Sequence, residues 1–516
     1  MTVVDTNMGR VEGFERNGVL QFRGIRYANP PVGDLRWQPP QPCQPWTGVR
    51  PAISFGPVAP QGPSPVSSIF GIADFGGKHP DISEDCLSLN VYAPARGAEH
   101  SPVMVWIHGG SFIGGSNRNV WYNGTSFAQK GVVVVTINYR LGAFGFLDLG
   151  DEEPGASNRG LLDQVAALEW VHKNIAAFGG DPANVTIFGN SAGAMCIGSL
   201  LTLPAASGLF QRAILQSGAA ATFQSRHQAA DVTASMTAAL GSRDYLRIAT
   251  WEQVVRAQGE VFIEMAGRGD GLPFMPVVDD AVLPHAPIEA ISKGAAAQVR
   301  LLMGTNSDEA TLFLALALSG ADLSKEFVIH RLDQTSGGAG RELYDAYRSV
   351  LGASAEPKDV WVAVETDRGF RAPAIQLAAA QARQTRDVWM YLFTHESPAL
   401  DGMLKSCHGL EIPFAWNTLT SDSDGFTGRG PGAQGLADEM HSAWVAFAAS
   451  GDPGWDRYEE GRRATRVFGR GTGTVDDPIG ARRALWRYEA PGGTPEPTVT
   501  KSRKGRRRAT PHAGSS

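Results

Sequence analysis

Ser191 stands between two glycines in "VTIFGNSAG", residues 185–193, and the pattern GxSxG occurs once in the chain. A serine hydroxyl is a poor nucleophile near neutral pH. It attacks a carbonyl only if a histidine takes its proton and a carboxylate orients that histidine. Flanking glycines let a strand turn sharply into a helix, which holds the serine strained with its hydroxyl projecting at the C-terminal edge of a sheet. Both neighbours are present: "VTIF" reads as the strand, and Ala192 to Leu203 as a helix stopped by Pro204. The oxyanion of such a reaction needs backbone donors. "WIHGGSFIGG", directly after the apolar run "VMVWI", puts Gly109 and Gly110 where side chains would block the substrate oxygen, and the amide of Ala192 adds a third donor.

These groups need a scaffold. Short apolar runs recur at 103–107, 132–139, 185–188, 212–216, 299–304 and 388–393, and being apolar on both faces they read as central strands of a parallel sheet. Between the second and third, Leu161, Leu162, Val165, Leu168, Trp170 and Ile175 mark an amphipathic helix closed by Gly179 and Gly180, which makes one βαβ crossover. The helical region 226–268 interrupts the strand pattern as an insertion covering a pocket would, and Pro/Gly-rich stretches occupy 29–67 and 420–435.

With 516 residues, 43% of them hydrophobic and 19% charged, the chain has the balance of a soluble protein with a large core. A net charge of −6 gives no reason to expect a nucleic-acid partner. Charged residues at Asp5, Arg10, Glu12 and Glu15 argue against a secretory signal, and no apolar run approaches the roughly 20 residues that span a bilayer. Cys43, Cys86, Cys196 and Cys407 lack CxxC spacing and read as reduced, buried thiols. Neither HExxH nor a GxGxxG after a strand occurs, so no metal and no cofactor is expected, and water is the second substrate. From about residue 491 the composition changes, with six basic residues between Lys501 and Arg508, which predicts a disordered basic tail over 491–516 behind a single domain over 1–490.

The segments "FRGIRYANPPVGDLRW", "SEDCLSLNVYAP", "VMVWIHGGSF", "NYRLGAFGFL", "GLLDQVAALEWVHKNIAAFGGDPANVTIFGNSAG", "LFQRAILQSG" and "PFMPVVDD" resemble, in order, those of the type B carboxylesterases, a family that includes cholinesterases and bacterial para-nitrobenzyl esterases. The resemblance covers about residues 9 to 490. It implies an α/β-hydrolase fold, with a central, mostly parallel sheet flanked by helices and with helical and loop insertions over the active site. It implies hydrolysis of carboxylic esters through an acyl-serine.

The family's acid carries over, through "GTNSDEAT", onto Glu309, which also follows the strand-like run "VRLLMG" and so lies at the sheet edge of the nucleophile. Asp308 is its rival, with a turn or helix cap as its ordinary role. The chain order Ser, acid, His leaves His395, His408 and His441, and "CHGLEIPFAW" resembles the family's base-bearing loop, which selects His408. His441 reads as a helix residue, His395 sits too close to its strand, and His108 supports the oxyanion loop. Ser217 resembles a serine that hydrogen-bonds near the acid, or is an ordinary strand-end serine.

Three departures stand out. The approach "FGPVAPQ" carries no cysteine to pair with Cys86, which fits a cytoplasmic bacterial-type enzyme; "GIRYA" replaces the commoner GIPYA; and Asn190 replaces the glutamate of GESAG. An amide at 190, pointing back under the elbow, avoids the cost of burying an anion. The expected partners are a small ester and water, with no nucleic acid and no membrane, acted on by a monomer. Hydrolysis of carbamates or amides by the same triad, or a non-catalytic neuroligin-like role, are the alternatives. Substrate pockets are expected from loops 61–82, 221–275 and 311–335, where Phe70, Phe75, Phe223, Phe274 and Phe313 line a gorge or belong to the core.

Overall fold

A computed structural model describes residues 1–63, 80–97, 99–150, 157–268, 271–317, 323–420, 423–488 and 495–500. Among them one large sheet runs through the molecule. Its strands are β1 (Thr2–Thr6), β2 (Gly9–Arg16), β3 (Val19–Arg26), β4 (Ser88–Pro94), β5 (Ser101–Ile107), β6 (Val133–Ile137), β7 (Gly180–Asn190), β8 (Arg212–Gln216), β9 (Arg300–Asn306), β10 (Val388–Phe393), β11 (Ala464–Phe468) and β12 (Gly473–Asp476). Their spatial order is β1-β2-β3-β4-β6-β5-β7-β8-β9-β10-β11-β12, with a short strand Val49–Pro51 beside β2. From β6 to β11 the neighbours are parallel; the first four strands and β12 are antiparallel additions.

The central strands form because their residues suit burial on both faces. β6 reads VVVTI and is wholly buried. Side chains alternate along β5: Val103, Val105 and Ile107 join one core cluster, Met104 and Trp106 the other. Helix α1 (Arg159–Asn174) and helix α2 (Ala192–Leu200) pack on the first side, helix α3 (Pro431–Ser450) on the second. The crossover ends at Gly179, whose φ of 85° provides the left-handed stop. Buried Arg140, just after β6, pairs with Asp163 of α1 at 2.7 Å and donates to the carbonyl of Gln38; removing one partner of such a pair costs about 3–5 kcal/mol.

All six strand-like runs are strands, and 226–268 is helical over Arg226–Leu240, Tyr245–Ile248 and Trp251–Arg268. Residues 496–497 pair with 486–487, and Val499 packs on a cluster of helices. The rest of the segment expected to be a basic tail, 491–494 and 501–516, lies outside the described residues, as do Phe70 and Phe75. Three of the four cysteines are buried and Cys43 is half-buried, all unpaired. No helix among the described residues is long and apolar enough to cross a membrane.

Parallel register aligns the strand ends. Ile107 pairs with Gly189, Asn190 with Gln216, Gln216 with Gly304, and Asn306 with Phe393. Whatever follows these residues emerges at one edge.

Candidate active site

Ser191 follows β7 with φ 57° and ψ −127°, a conformation that costs a non-glycine residue about 1–3 kcal/mol. The turn is pinned from both sides: the Ser191 amide donates to Gln216 O at 2.9 Å, and its carbonyl accepts from Met195 N. Glycines let neighbouring chain approach. A Cβ on Gly193 would lie 2.8 Å from His108 O, and one on Gly218 would lie 2.7 Å from Ser191 O.

Across the elbow runs the loop after β5. A Cβ on Gly109 would sit 2.6 Å from Asn190 O and 3.0 Å from Ser191 Cβ, so only glycine fits there. Gly110 has φ 119°, and Ser111 and Phe112, at 53° and 62°, are left-handed without being glycine. Among the described residues the amides of Gly109, Gly110 and Ala192 donate to no protein acceptor, and Ala192 opens helix α2, where the helix dipole favours negative charge. His108 is buried, and burial lowers its pKa to about 4, so its ring is neutral. Its Nδ1 lies 2.9 Å from Gly109 O, its carbonyl accepts from Tyr139 Oη, and its ring stacks on Tyr139.

Glu309, fully buried three residues past the end of β9, holds both carboxylate oxygens in use. Oε1 accepts from Asn306 N at 2.7 Å; Oε2 lies 2.6 Å from His408 Nδ1. A carboxylate oxygen accepts, so Nδ1 carries the proton of the neutral ring and the lone pair lies on Nε2. The His408 amide also donates to the Glu309 carbonyl at 3.3 Å. Asp308 turns elsewhere, its carboxylate accepting from Ser307 Oγ and its amide donating to Ser406 O. The structure therefore brings Glu309, not Asp308, to His408. His395 and His441 are occupied with the carbonyls of Thr427 and Ala415.

Two features were not anticipated from the sequence. Glu411, buried three residues after His408 in "HGLEI", accepts from Asn190 Nδ2 at 2.7 Å, Gln216 Nε2 at 3.1 Å and Asn306 Nδ2 at 2.7 Å. Burial first, then the charge of Glu309, raises its pKa. Asn190 thus does point under the elbow, where its donor meets a carboxylate that a glutamate at 190 would have opposed. Second, Phe370 joins Phe313, already expected as gorge lining or core, in flanking the His408 ring, with centroids 4.8 and 5.2 Å away. The signal of Phe370, an aromatic in a stretch otherwise readable as helix core, is indistinct. Ser217 departs from expectation: its hydroxyl is buried with no partner among the described residues, so the hydrogen bond toward the acid is absent.

Ser191 opens into a cleft of about 940 Å³ lined by Ala192, Phe223, Phe313, Phe370 and Trp361, with Trp486 and Pro495–Pro497 toward the chain end. Phe274, by contrast, is core. Among the described residues no group of three or more His, Cys, Asp or Glu side chains is placed to hold a metal ion.

The sequence profile of the carboxylesterase family matches residues 1–465. The para-nitrobenzyl esterase of Bacillus subtilis (strain 168) is 38% identical over 498 residues, covering 93% of this chain and 97% of the relative, and the phenmedipham hydrolase of Pseudarthrobacter oxydans is 36% identical over 476, covering 88% and 91%. A solved carboxylesterase of Geobacillus stearothermophilus superposes with a TM-score of 0.83 at 41% identity, over 94% of this chain and 100% of that one. A match of this extent, on a mixed sheet flanked by helices with a serine elbow at its edge, means that the chain belongs to the carboxylesterase family, as a carboxylic ester hydrolase of the α/β-hydrolase fold.

Proposed function

We propose that Ser191, His408 and Glu309 perform this hydrolysis, with the amides of Gly109, Gly110 and Ala192 as the oxyanion hole. The observation that carries the reading is the 2.6 Å contact of His408 Nδ1 with buried Glu309, beside Phe313 and Phe370, which also line the cleft into which Ser191 opens. Ser191 Oγ attacks the ester carbonyl as His408 Nε2 takes its proton; the amides hold the oxyanion while Glu309 holds the imidazolium. Collapse expels the alcohol, protonated by His408, and leaves an acyl-serine. Water, deprotonated by the same imidazole, releases the acid. A fluorophosphonate should modify one residue per chain, recovered on the peptide containing Ser191, and Ser191→Ala should abolish the label; label retained in that variant would refute the assignment.

The cleft's aromatic lining and the para-nitrobenzyl esterase among the relatives support small, soluble esters as substrates. A butyrate ester should turn over faster than emulsified triolein, and the reverse order would count against this substrate class. The proposed setting is a monomer, one domain over 1–490, in the cytoplasm, where unpaired cysteines stay reduced. Gel filtration checks the monomer.

A further inference from the structure

Gln61 lies outside the strands and helices, yet its buried side chain reaches the oxyanion loop and grips one residue of it from both ends. Gly115 N donates to Gln61 Oε1 at 2.8 Å, and Gln61 Nε2 donates to Gly115 O at 2.9 Å, with a further bond to Ala59 O at 3.0 Å. The primary amide mimics a strand partner for a single residue.

What it grips matters for the chemistry. Between Gly109 and Gly115 the chain doubles back: Ile113 N and Gly114 N both donate to Gly110 O, and Gly110, Ser111, Phe112 and Gly115 all have positive φ. Two non-glycine residues in that region mean the turn persists only while its surroundings hold it. Gly115 lands against the start of the loop, where a Cβ on it would lie 2.6 Å from His108 Nδ1 and would crowd Gly109 O. That carbonyl is the one His108 Nδ1 engages. In a trans peptide the C=O and the next N–H point opposite ways, so fixing Gly109 O toward His108 turns the Gly110 N–H away from it. Gln61 therefore acts at one remove, through Gly115, on the peptide that carries an oxyanion donor.

We propose that Gln61 is a positioning residue of the oxyanion hole, which holds the 110–115 turn so that the Gly110 amide stays aimed at the developing charge. The inference rests on the oxyanion assignment above. Loss of the clamp lets the turn relax, and a donor displaced by about 1 Å costs on the order of 10² in rate.

The test compares Gln61→Ala with Gln61→Met, which keeps length and bulk but cannot pair with Gly115. Rates on a soluble butyrate ester are normalised to folded protein by circular dichroism. In both variants kcat should fall about 10²-fold with KM within about threefold, and the inhibition constant of a trifluoromethyl ketone, whose adduct with serine places an oxyanion in the hole, should rise in parallel. A loss in kcat below tenfold overturns the proposal. So does a larger loss with unchanged ketone affinity, which would place the defect elsewhere. Failure of the triad reading is separable, because it shows in Ser191→Ala and not in the ratio of these two effects.

Discussion

The elbow half of the site and the acid–base half are made from different materials. Around Ser191 the parts proposed to work are backbone: amides at Gly109, Gly110 and Ala192, a strained serine, and glycines packed so closely that a single Cβ on Gly109 would meet Asn190 O at 2.6 Å. Around His408 they are side chains: a buried carboxylate with two donors, an imidazole between two phenylalanines, and Glu411 below, held by three amides. The first half discriminates by shape, because its groups belong to every residue and only their placement matters. The second discriminates by chemical type. Substitutions in the two halves should fail in correspondingly different ways.

The largest effect belongs to Ser191→Ala, on whose hydroxyl the chemistry of both halves is proposed to converge. Its kcat should fall about 10⁵-fold or more with the thermal transition nearly unmoved, and turnover above a thousandth of wild type would break the comparison at its centre. Next, Glu309→Gln should lower kcat about 10³–10⁴-fold while Asp308→Asn costs less than tenfold; the opposite ranking would show that chemical type at 309 is not what counts. On the backbone side, Gly109→Ala should lower kcat about 10²–10³-fold, although it adds one methyl group and no charge. Wild-type activity in that variant would mean the loop moves aside freely.

The smallest effect on rate is expected beneath the elbow, where the halves share a hydrogen bond. Asn190→Ala leaves a donor of Glu411 missing and should cost about 1–3 kcal/mol of stability, with kcat reduced far less than in His408→Ala; full stability with a catalytic loss equal to that of His408→Ala would assign Asn190 to the chemistry. Asn190→Asp sharpens the point through pH. Two carboxylates facing each other favour a shared proton, so the pair's folded-state pKa lies above the unfolded value, the folded state binds more protons, and stability falls as pH rises. The melting deficit relative to wild type should be larger at pH 8 than at pH 5, and a deficit independent of pH would show that the introduced carboxylate does not touch Glu411.

How much of this could be read from the sequence follows the same division. Ser191 announces itself because the elbow needs glycines on both sides, and the parallel strands because burial on both faces demands unbroken apolar runs such as VVVTI. Choosing Glu309 over Asp308 needed a resemblance, since adjacent acidic residues differ only in which way the turn aims them. Glu411, Phe370 and Gln61 were missed for a common reason. Each acts through partners far away in sequence, as Gln61 does with Gly115 and Glu411 with Asn190, and no local pattern records such a pairing. The antiparallel strands at the N-terminus were passed over too, because β1 alternates between exposed and half-buried residues and carries no continuous apolar signal. Ser217 shows the converse, a family-like residue whose expected hydrogen bond the local geometry does not make.

The strand order has a temporal consequence. During synthesis the elbow and the proposed oxyanion loop lie on strands complete by residue 190, whereas the proposed acid and base follow β9 and β10, which emerge only after residues 306 and 393. Chains fold as they lengthen, with N-terminal parts first where they can, so a nascent chain can own a finished nucleophile turn long before it owns a nucleophile. On the proposed triad, Ser191 is an ordinary alcohol until His408 docks, and the growing polypeptide cannot hydrolyse esters in its surroundings. In refolding from denaturant, esterase activity should for the same reason be the last signal to return, trailing far-ultraviolet dichroism, because it reports contacts spanning 99 residues between Glu309 and His408 rather than any local element.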